Sequence, residues 1–220
     1  MTIKAIIFDL DGTLVHTVSE YRYAVVKKTL KELGVSSFSK KNTDKFWFGG
    51  NRNKTIREIF KVEPEVFWKV FHKHDTIEER EKHTKAYEDV DFIKELKKEG
   101  YKTGIVTGSI ESIAFMEIKM VGKESFDAII ITQISNGVEP KPHPSGLERC
   151  INMLGVKKDE VIYVGNSDED IIAAKNAGVL DVLIDRNEYE IDEKIKPTYK
   201  IKTLYELKDI LLRINLSEDN

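Results

Sequence analysis

Cysteine is almost absent from this sequence: Cys150 is the only one, so no internal disulfide can form. A reducing compartment fits that usage. Proline is scarce too, with five in 220 residues, and Pro140, Pro142 and Pro144 stand almost side by side. Neither sign of charge dominates, because 35 Lys and Arg face 38 Asp and Glu for a net charge of −3. That balance gives no electrostatic footprint for nucleic acid and no polybasic patch for a membrane surface. No apolar run is long enough to cross a bilayer. Met1-Thr2-Ile3-Lys4 leads straight into a strand-like run without a signal-peptide pattern. The expectation is a cytoplasmic protein, monomer or homodimer, with neither nucleic acid nor membrane as partner. Glutamine is represented by Gln133 alone while Lys and Glu abound, a composition that leans towards heat adaptation.

What is present begins with a hydrophobic content of 40%, enough for one sizeable core or a core with an appendage. Residues 3–8 read as a buried strand, and Ser19 to Leu33 reads as a helix ended by Gly34. Between Val35 and His83 there is no strand pattern. Short helical stretches appear there at Lys54–Phe60 and Pro64–His74, behind an aromatic loop from Phe46 to Arg52. From Tyr87 onward the rhythm changes. Helices at 91–99, 110–121, 144–153, 168–176 and 204–214 alternate with strands at 102–106, 127–131, 160–164 and 182–184. Such alternation predicts an α/β fold, a Rossmann-like parallel sheet with helices on both faces. The helical block 16–84 interrupts the pattern after the first strand. It predicts an inserted helical cap over a core made of residues 1–15 and 85–220.

In such sheets ligands gather beyond the carboxyl ends of the strands. The residues there have the matching chemistry. Strand one ends in Asp9-Leu10-Asp11-Gly12-Thr13, two carboxylates two positions apart at a glycine turn. Acids that close resist ionising together unless a cation lies between them, so the segment suits a metal site, nucleophile and acid/base chemistry, or both. The 102–106 strand is followed by Thr107-Gly108-Ser109, a hydroxyl and backbone N–H groups at a helix start, suited to anions. Lys141 follows the 127–131 strand between two prolines. Gly165-Asn166-Ser167-Asp168-Glu169-Asp170 follows the 160–164 strand. Each piece alone reads as a turn or a helix cap. Four in order, each after a parallel strand, are hard to explain by capping.

Together Asp9-Leu10-Asp11-Gly12-Thr13, Thr107, Lys141 and Gly165-Asn166-Ser167-x-x-Asp170 resemble the haloacid dehalogenase superfamily, most of all its phosphoglycolate phosphatase-like group. The resemblance spans the chain, since block 16–84 falls where that family inserts its cap. It implies a phosphatase acting on small phosphate monoesters through an aspartyl-phosphate. Asp9 would be the nucleophile and Asp11 the general acid and base. Thr107, with the nearby N–H groups of Gly108 and Ser109, would hold phosphoryl oxygens, and Lys141 would neutralise charge beside Asp9. The implied cofactor is Mg²⁺, held by Asp9, the Asp11 carbonyl, Asn166 and Asp170. Trp47, Asn51, Arg52 and Lys54 are the cap residues expected to meet the leaving group, although Trp47 and Phe48 equally suit a small aromatic core.

The chain departs from the pattern at Asn166, where the family usually has Asp, and at His16, where an Asp is common. A neutral amide should leave the metal site less anionic. The rivals are a dehalogenase, which lacks the second acid, a sugar-phosphate mutase, and a phosphate-binding protein without turnover. Such mutases carry a His in the first cap helix where Tyr21 stands here. His72 and His74 read as a solvated helix face because two residues apart they point in different directions. Cys150, near Leu147 and Leu154, reads as a buried apolar residue.

Overall fold

The computed structural model describes residues 2–36, 38–49, 51–133 and 137–216, so Gly50 and the polar tail 217–220 lie outside the described residues. Six parallel strands form the main sheet: β1 (Ala5–Phe8), β4 (Lys102–Thr107), β5 (Ala128–Ile131), β6 (Val161–Gly165), β7 (Leu180–Ile184) and β8 (Tyr199–Ile201). Two short antiparallel strands, β2 (Val15–Thr17) and β3 (Thr84–Ala86), pair separately. The spatial order is β5-β4-β1-β6-β7-β8. After β1 the chain builds outward on one side through β4 and β5, then returns to the other side at β6. The order therefore reverses at β1, and the carboxyl end of β1 is a topological switch point, where doubly wound sheets form their ligand crevice.

Strand alternation explains the two cores. Ile6 and Phe8 of β1, with Ile162 and Val164 of β6, face a layer containing α6 (Phe92–Lys98), α7 (Glu111–Val121) and α10 (Leu207–Leu216). Ala5 and Ile7, with Val161 and Tyr163, face α8 (Ser145–Leu154) and α9 (Asp168–Ala177). Successive side chains point to opposite faces, and a central parallel strand must be apolar on both. Cys150 lies fully buried in the second layer, where desolvation pushes its thiol up to about 12. It is a packing residue, as its neighbours in sequence suggested.

The chain leaves the sheet through β2 and returns through β3, where the Thr17 and Thr84 hydroxyls meet at 2.9 Å. Between them lie α1 (Ser19–Glu32), α2 (Lys40–Phe48), α3 (Arg52–Thr55) with a wider turn at Ile56–Phe60, α4 (Pro64–His74) and α5 (Ile77–His83). This helical insert has its own core of Phe46, Trp47, Phe60, Phe67 and Phe71 with Val26 and Leu30. The aromatic stretch expected as a loop is in part helical: Phe46, Trp47 and Phe48 form the last turn of α2. The Ser39 hydroxyl caps this helix at the Asn42 amide, and its three aromatics reach the insert's core. Three short strands, β2, β3 and β8, have no counterpart in the sequence reading. At three residues each they are too brief for a periodic signal. No helix among the described residues is long and apolar enough to cross a membrane.

Candidate active site

β1 delivers Asp9 to the switch point, and the turn Leu10–Val15 then re-aims the chain. Gly12 has φ of 86°, a conformation that L side chains rarely adopt. A Cβ there would lie 2.2 Å from Asn166 Nδ2, so the position also requires a bare backbone for close approach to the β6 loop. Thr13 Oγ1 donates to Asp9 Oδ2 at 3.1 Å and lies 3.4 Å from Asn166 Oδ1. One hydroxyl thus joins an oxygen of the first expected metal ligand to an oxygen of another.

Lys141 reaches the same point from the loop after β5. Its ammonium donates to Asp9 Oδ1 at 2.6 Å and to Asp170 Oδ1 at 2.7 Å. Burial works against that charge, but Asp170 and Asp9 outweigh it and raise the lysine above its ordinary range. Asp9 is pushed up to about 6, chiefly by burial and further by Asp170, with Lys141 acting in the opposite sense. A carboxyl at that level is mostly ionised at neutral pH.

Asp170 is saturated with donors. Tyr163 Oη donates to Oδ1 at 2.9 Å, while Ser167 Oγ and the amides of Asn166 and Ser167 donate to Oδ2 at 2.7, 3.1 and 3.0 Å. Burial raises its pKa, but Lys141, Ser167 and Tyr163 prevail and hold it below the usual carboxylate range. Ser167 and Asp170 also cap the start of α9 reciprocally, which fixes the loop carrying Asn166.

The end of β4 supplies Thr107, whose Oγ1 accepts from the Ser109 amide at 3.1 Å. Gly108 and Ser109 lead into α7 with no side-chain cap, leaving N–H groups at that helix start for an anion. Asp11 lines the same cleft. Both of its carboxylate oxygens are buried without a hydrogen-bond partner.

The cleft has a volume of about 950 Å³, with Asp9, Asp11, Thr107, Gly108, Ser109, Lys141, Asn166 and Asp170 on the sheet side. The insert supplies Trp47, Asn51, Arg52 and Arg80 on the other side. Asn51 caps α3 through the Lys54 amide and donates its own amide to Glu169 at 3.0 Å. Lys54 itself is exposed and pairs with Glu58 at 4.0 Å, away from the cleft lining. His74 pairs with Glu32 at 2.9 Å, whereas His72 stacks on Trp68 and reaches the cleft edge. His16 stacks on Tyr87 and lies 3.7 Å from Glu188, at the β2–β3 junction.

Sequence reasoning missed Tyr163, Arg80 and Glu117, and it placed Ser167 in the strand-end motif without giving it a role. Tyr163 left a faint signal, since a tyrosine inside a buried strand needs a partner for its hydroxyl. Arg80 and Glu117 as a pair left none. Arg80 sits in a charged helix and Glu117 among the apolar residues of α7, and only the packing of α5 on α7 brings Arg80 Nη1 to 3.9 Å from Glu117 Oε1.

The oxygens available for a metal are those of the Asp9 carboxylate, the unpartnered Asp11 carboxylate and the Asn166 amide. Among the described residues no group of three or more His, Cys, Asp or Glu could hold a metal ion. An all-oxygen set with few protein ligands suits a hard ion that keeps several waters, and it does not suit zinc.

A doubly wound sheet with an acid pair at its switch point, roofed by a helical insert, is the architecture of a capped α/β hydrolase. The chain belongs to the haloacid dehalogenase-like hydrolase family, whose model matches residues 6–184. It is similar to a phosphoglycolate phosphatase from Aquifex aeolicus, at 31% identity over 179 residues, covering 80% of this chain and 81% of that one. It is equally similar to the pyrophosphatase PpaX of Bacillus mycoides, at 31% over 220 residues, covering 98% and 100%. A solved hydrolase from Pseudomonas syringae shares the fold with a TM-score of 0.78 at 22% identity, covering 96% of this chain and 99% of that one. A HAD phosphatase from Thermococcus onnurineus aligns with a TM-score of 0.67 at 28% identity, covering 95% and 98%.

Proposed function

We propose that this chain is a Mg²⁺-dependent phosphatase that hydrolyses small phosphate esters through an aspartyl-phosphate on Asp9. Residues 16–84 act as its cap over a catalytic core of 1–15 and 85–220. The observation that carries the reading is Asp11. A buried carboxylate with no partner on either oxygen is costly, about 1–3 kcal/mol or more per unsatisfied group. Its retention beside Asp9 fits a group whose partner is the substrate's leaving oxygen. Displacement of a halide needs no such acid.

In the proposed chemistry an Asp9 carboxylate oxygen attacks phosphorus as the bond from phosphorus to the leaving oxygen breaks. Asp11 gives its proton to that oxygen. Water then attacks the same phosphorus, Asp11 takes the water's proton, and the bond from Asp9 to phosphorus breaks to release phosphate. Thr107 and the N–H groups at the start of α7 receive phosphoryl oxygens, while Lys141 offsets charge at Asp9. Bound Mg²⁺ would draw negative charge from the phosphoryl group, held by the Asp9 carboxylate, the Asp11 carbonyl and the Asn166 amide oxygen. Asp170 was expected as a further ligand. Its saturated carboxylate supports a different part, that of anchoring Lys141 and the Asn166 loop.

Hydrolysis of p-nitrophenyl phosphate in the presence of Mg²⁺ tests the reading. The native chain should release p-nitrophenol and Asp9→Asn should not. Equal rates would overturn the assignment.

A further inference from the structure

The turn that carries Asp11 and Thr13 is held from two sides. Within it, the amides of Thr13, Leu14 and Val15 all bond to the Leu10 carbonyl, at 3.2, 2.9 and 3.1 Å. From outside, Arg186 Nη2 donates to the Thr13 carbonyl at 2.9 Å. Arg186 stands just after β7, where the chain bends sharply. Asn187 has φ of 57°, a conformation that Asn tolerates better than most L residues, and its amide bonds to Asp185 Oδ1 at 2.9 Å.

The Arg186 guanidinium is fixed on several sides. Nη1 and Nη2 grip the two Asp89 carboxylate oxygens at 2.7 and 2.9 Å, a fork that a lysine cannot form. Nη1 also reaches the Lys202 carbonyl at 3.3 Å, and the guanidinium carbon lies 4.0 Å from the centre of the Tyr87 ring. Asp89 is held in turn by the Leu204 amide at 2.7 Å. The Arg186 and Asp89 side chains are only 7% and 6% exposed. The guanidinium keeps this orientation although it leaves Nε buried without an acceptor.

What Thr13 touches gives that contact its meaning. Thr13 Oγ1 donates to Asp9 Oδ2 at 3.1 Å and lies 3.4 Å from Asn166 Oδ1. A shift of the Thr13 backbone moves this hydroxyl, and Asp11 moves with the same turn. Arg186 itself is not among the residues that line the cleft, so it meets no substrate. The phosphoryl receivers, Thr107, the α7 N–H groups and Lys141, stand on other loops.

Building on the phosphatase reading, we propose that Arg186, seated on Asp89, is a positioning residue that sets the 10–15 turn and, through Thr13, the Asp9 carboxylate. Its effect falls on the chemical step and not on the capture of substrate. The rival role is that Arg186 only neutralises the buried Asp89.

Two variants separate these roles. Arg186→Met alone leaves a buried carboxylate unpaired and risks unfolding the chain, so it is made together with Asp89→Asn, whose amide oxygen can still accept from Leu204. Arg186→Lys keeps a charge beside Asp89 without the fork. With p-nitrophenyl phosphate and Mg²⁺, both variants should lose about tenfold or more in kcat, while KM rises by no more than about twofold. Hydrogen exchange read by mass spectrometry should show the amides of residues 12–15 exchanging about tenfold faster, with those of β4 unchanged. Native kcat in either variant, or a loss carried by KM, reduces Arg186 to a counter-ion for Asp89 and overturns the proposal. Native exchange at the turn overturns it as well. If the native chain releases no p-nitrophenol, the phosphatase reading fails by itself, and exchange at the turn still decides whether Arg186 holds it.

Discussion

Glu117→Gln should differ from the native chain by a constant offset in acid and gain on it progressively as the pH approaches neutrality. Glu117 is fully buried on α7 with neither carboxylate oxygen hydrogen-bonded, and its closest cation is Arg80 Nη1 at 3.9 Å. Burial raises its pKa well above the ordinary 4.5, with the nearby Asp11 and Asp9 acting in the same sense and Arg80 and Arg52 opposing them. Below that ordinary value folded and unfolded chains both hold the proton, so the carboxyl contributes no slope. Above it the unfolded chain releases the proton while the folded chain retains it. Native stability then falls by about 1.4 kcal/mol for each pH unit over which the two states differ. Gln has no proton to release and escapes that loss. For a chain of this size each kcal/mol moves Tm by about 2–4 °C. The variant's advantage should therefore grow by several degrees per pH unit above about pH 4.5. The new amide near Arg80 adds a constant cost of about 1–3 kcal/mol, so the diagnostic is the slope and not the offset. Asp9, pushed up to about 6, gives a loss of the same sign, but it is common to both proteins and cancels in the difference. Thermal unfolding of both proteins from pH 4 to pH 7.5 reads the slope. Parallel curves would refute the reasoning, since they would mean that Glu117 ionises in the folded chain as it does in the unfolded one.

Other perturbations have equally definite outcomes. Lys141→Met leaves Asp9 and Asp170 facing each other without their shared cation, and unfolding in urea should show a loss of about 3–5 kcal/mol together with loss of turnover. Asn166→Asp adds a negative charge beside Asp9, and titration calorimetry should show tighter Mg²⁺ binding than in the native chain; identical isotherms would mean that Asn166 does not meet the metal. Gly12→Ala drives a Cβ to 2.2 Å from Asn166 Nδ2 in a backbone at φ of 86°, so p-nitrophenyl phosphate turnover should fall at least tenfold with displacement of the β6 loop.

The layers of the main sheet were legible because parallel strands buried on both faces are short continuous apolar runs, and β1 and β6 are both of that kind. The residues that gather at the strand ends were legible for the same reason. Once the strands are placed, Asp9, Thr107, Lys141 and Asn166 follow from the rule that ligands sit beyond their carboxyl ends. The insert was harder to read. Phe46–Phe48 stand next to two glycines, so local composition points to a loop. The α2 helix exists because its last turn packs Phe46 against Phe60, Phe67 and Phe71, Trp47 against Phe71, and Phe48 against Tyr189. That is a tertiary contact with no local signature. Arg80 and Glu117 were invisible because their meaning depends on two helices that are far apart in sequence and meet beneath the cleft.

The central claim is that Asp9 carries the phosphoryl group. A millisecond acid quench of the native chain turning over p-nitrophenyl phosphate with Mg²⁺, followed by mass spectrometry of its peptides, tests that claim most directly. The predicted result is one phosphoryl group on the peptide containing Asp9, assigned to that carboxylate and absent from Asp9→Asn. Turnover with no phosphoryl group on Asp9, or with the group on another residue such as Ser109, would contradict it.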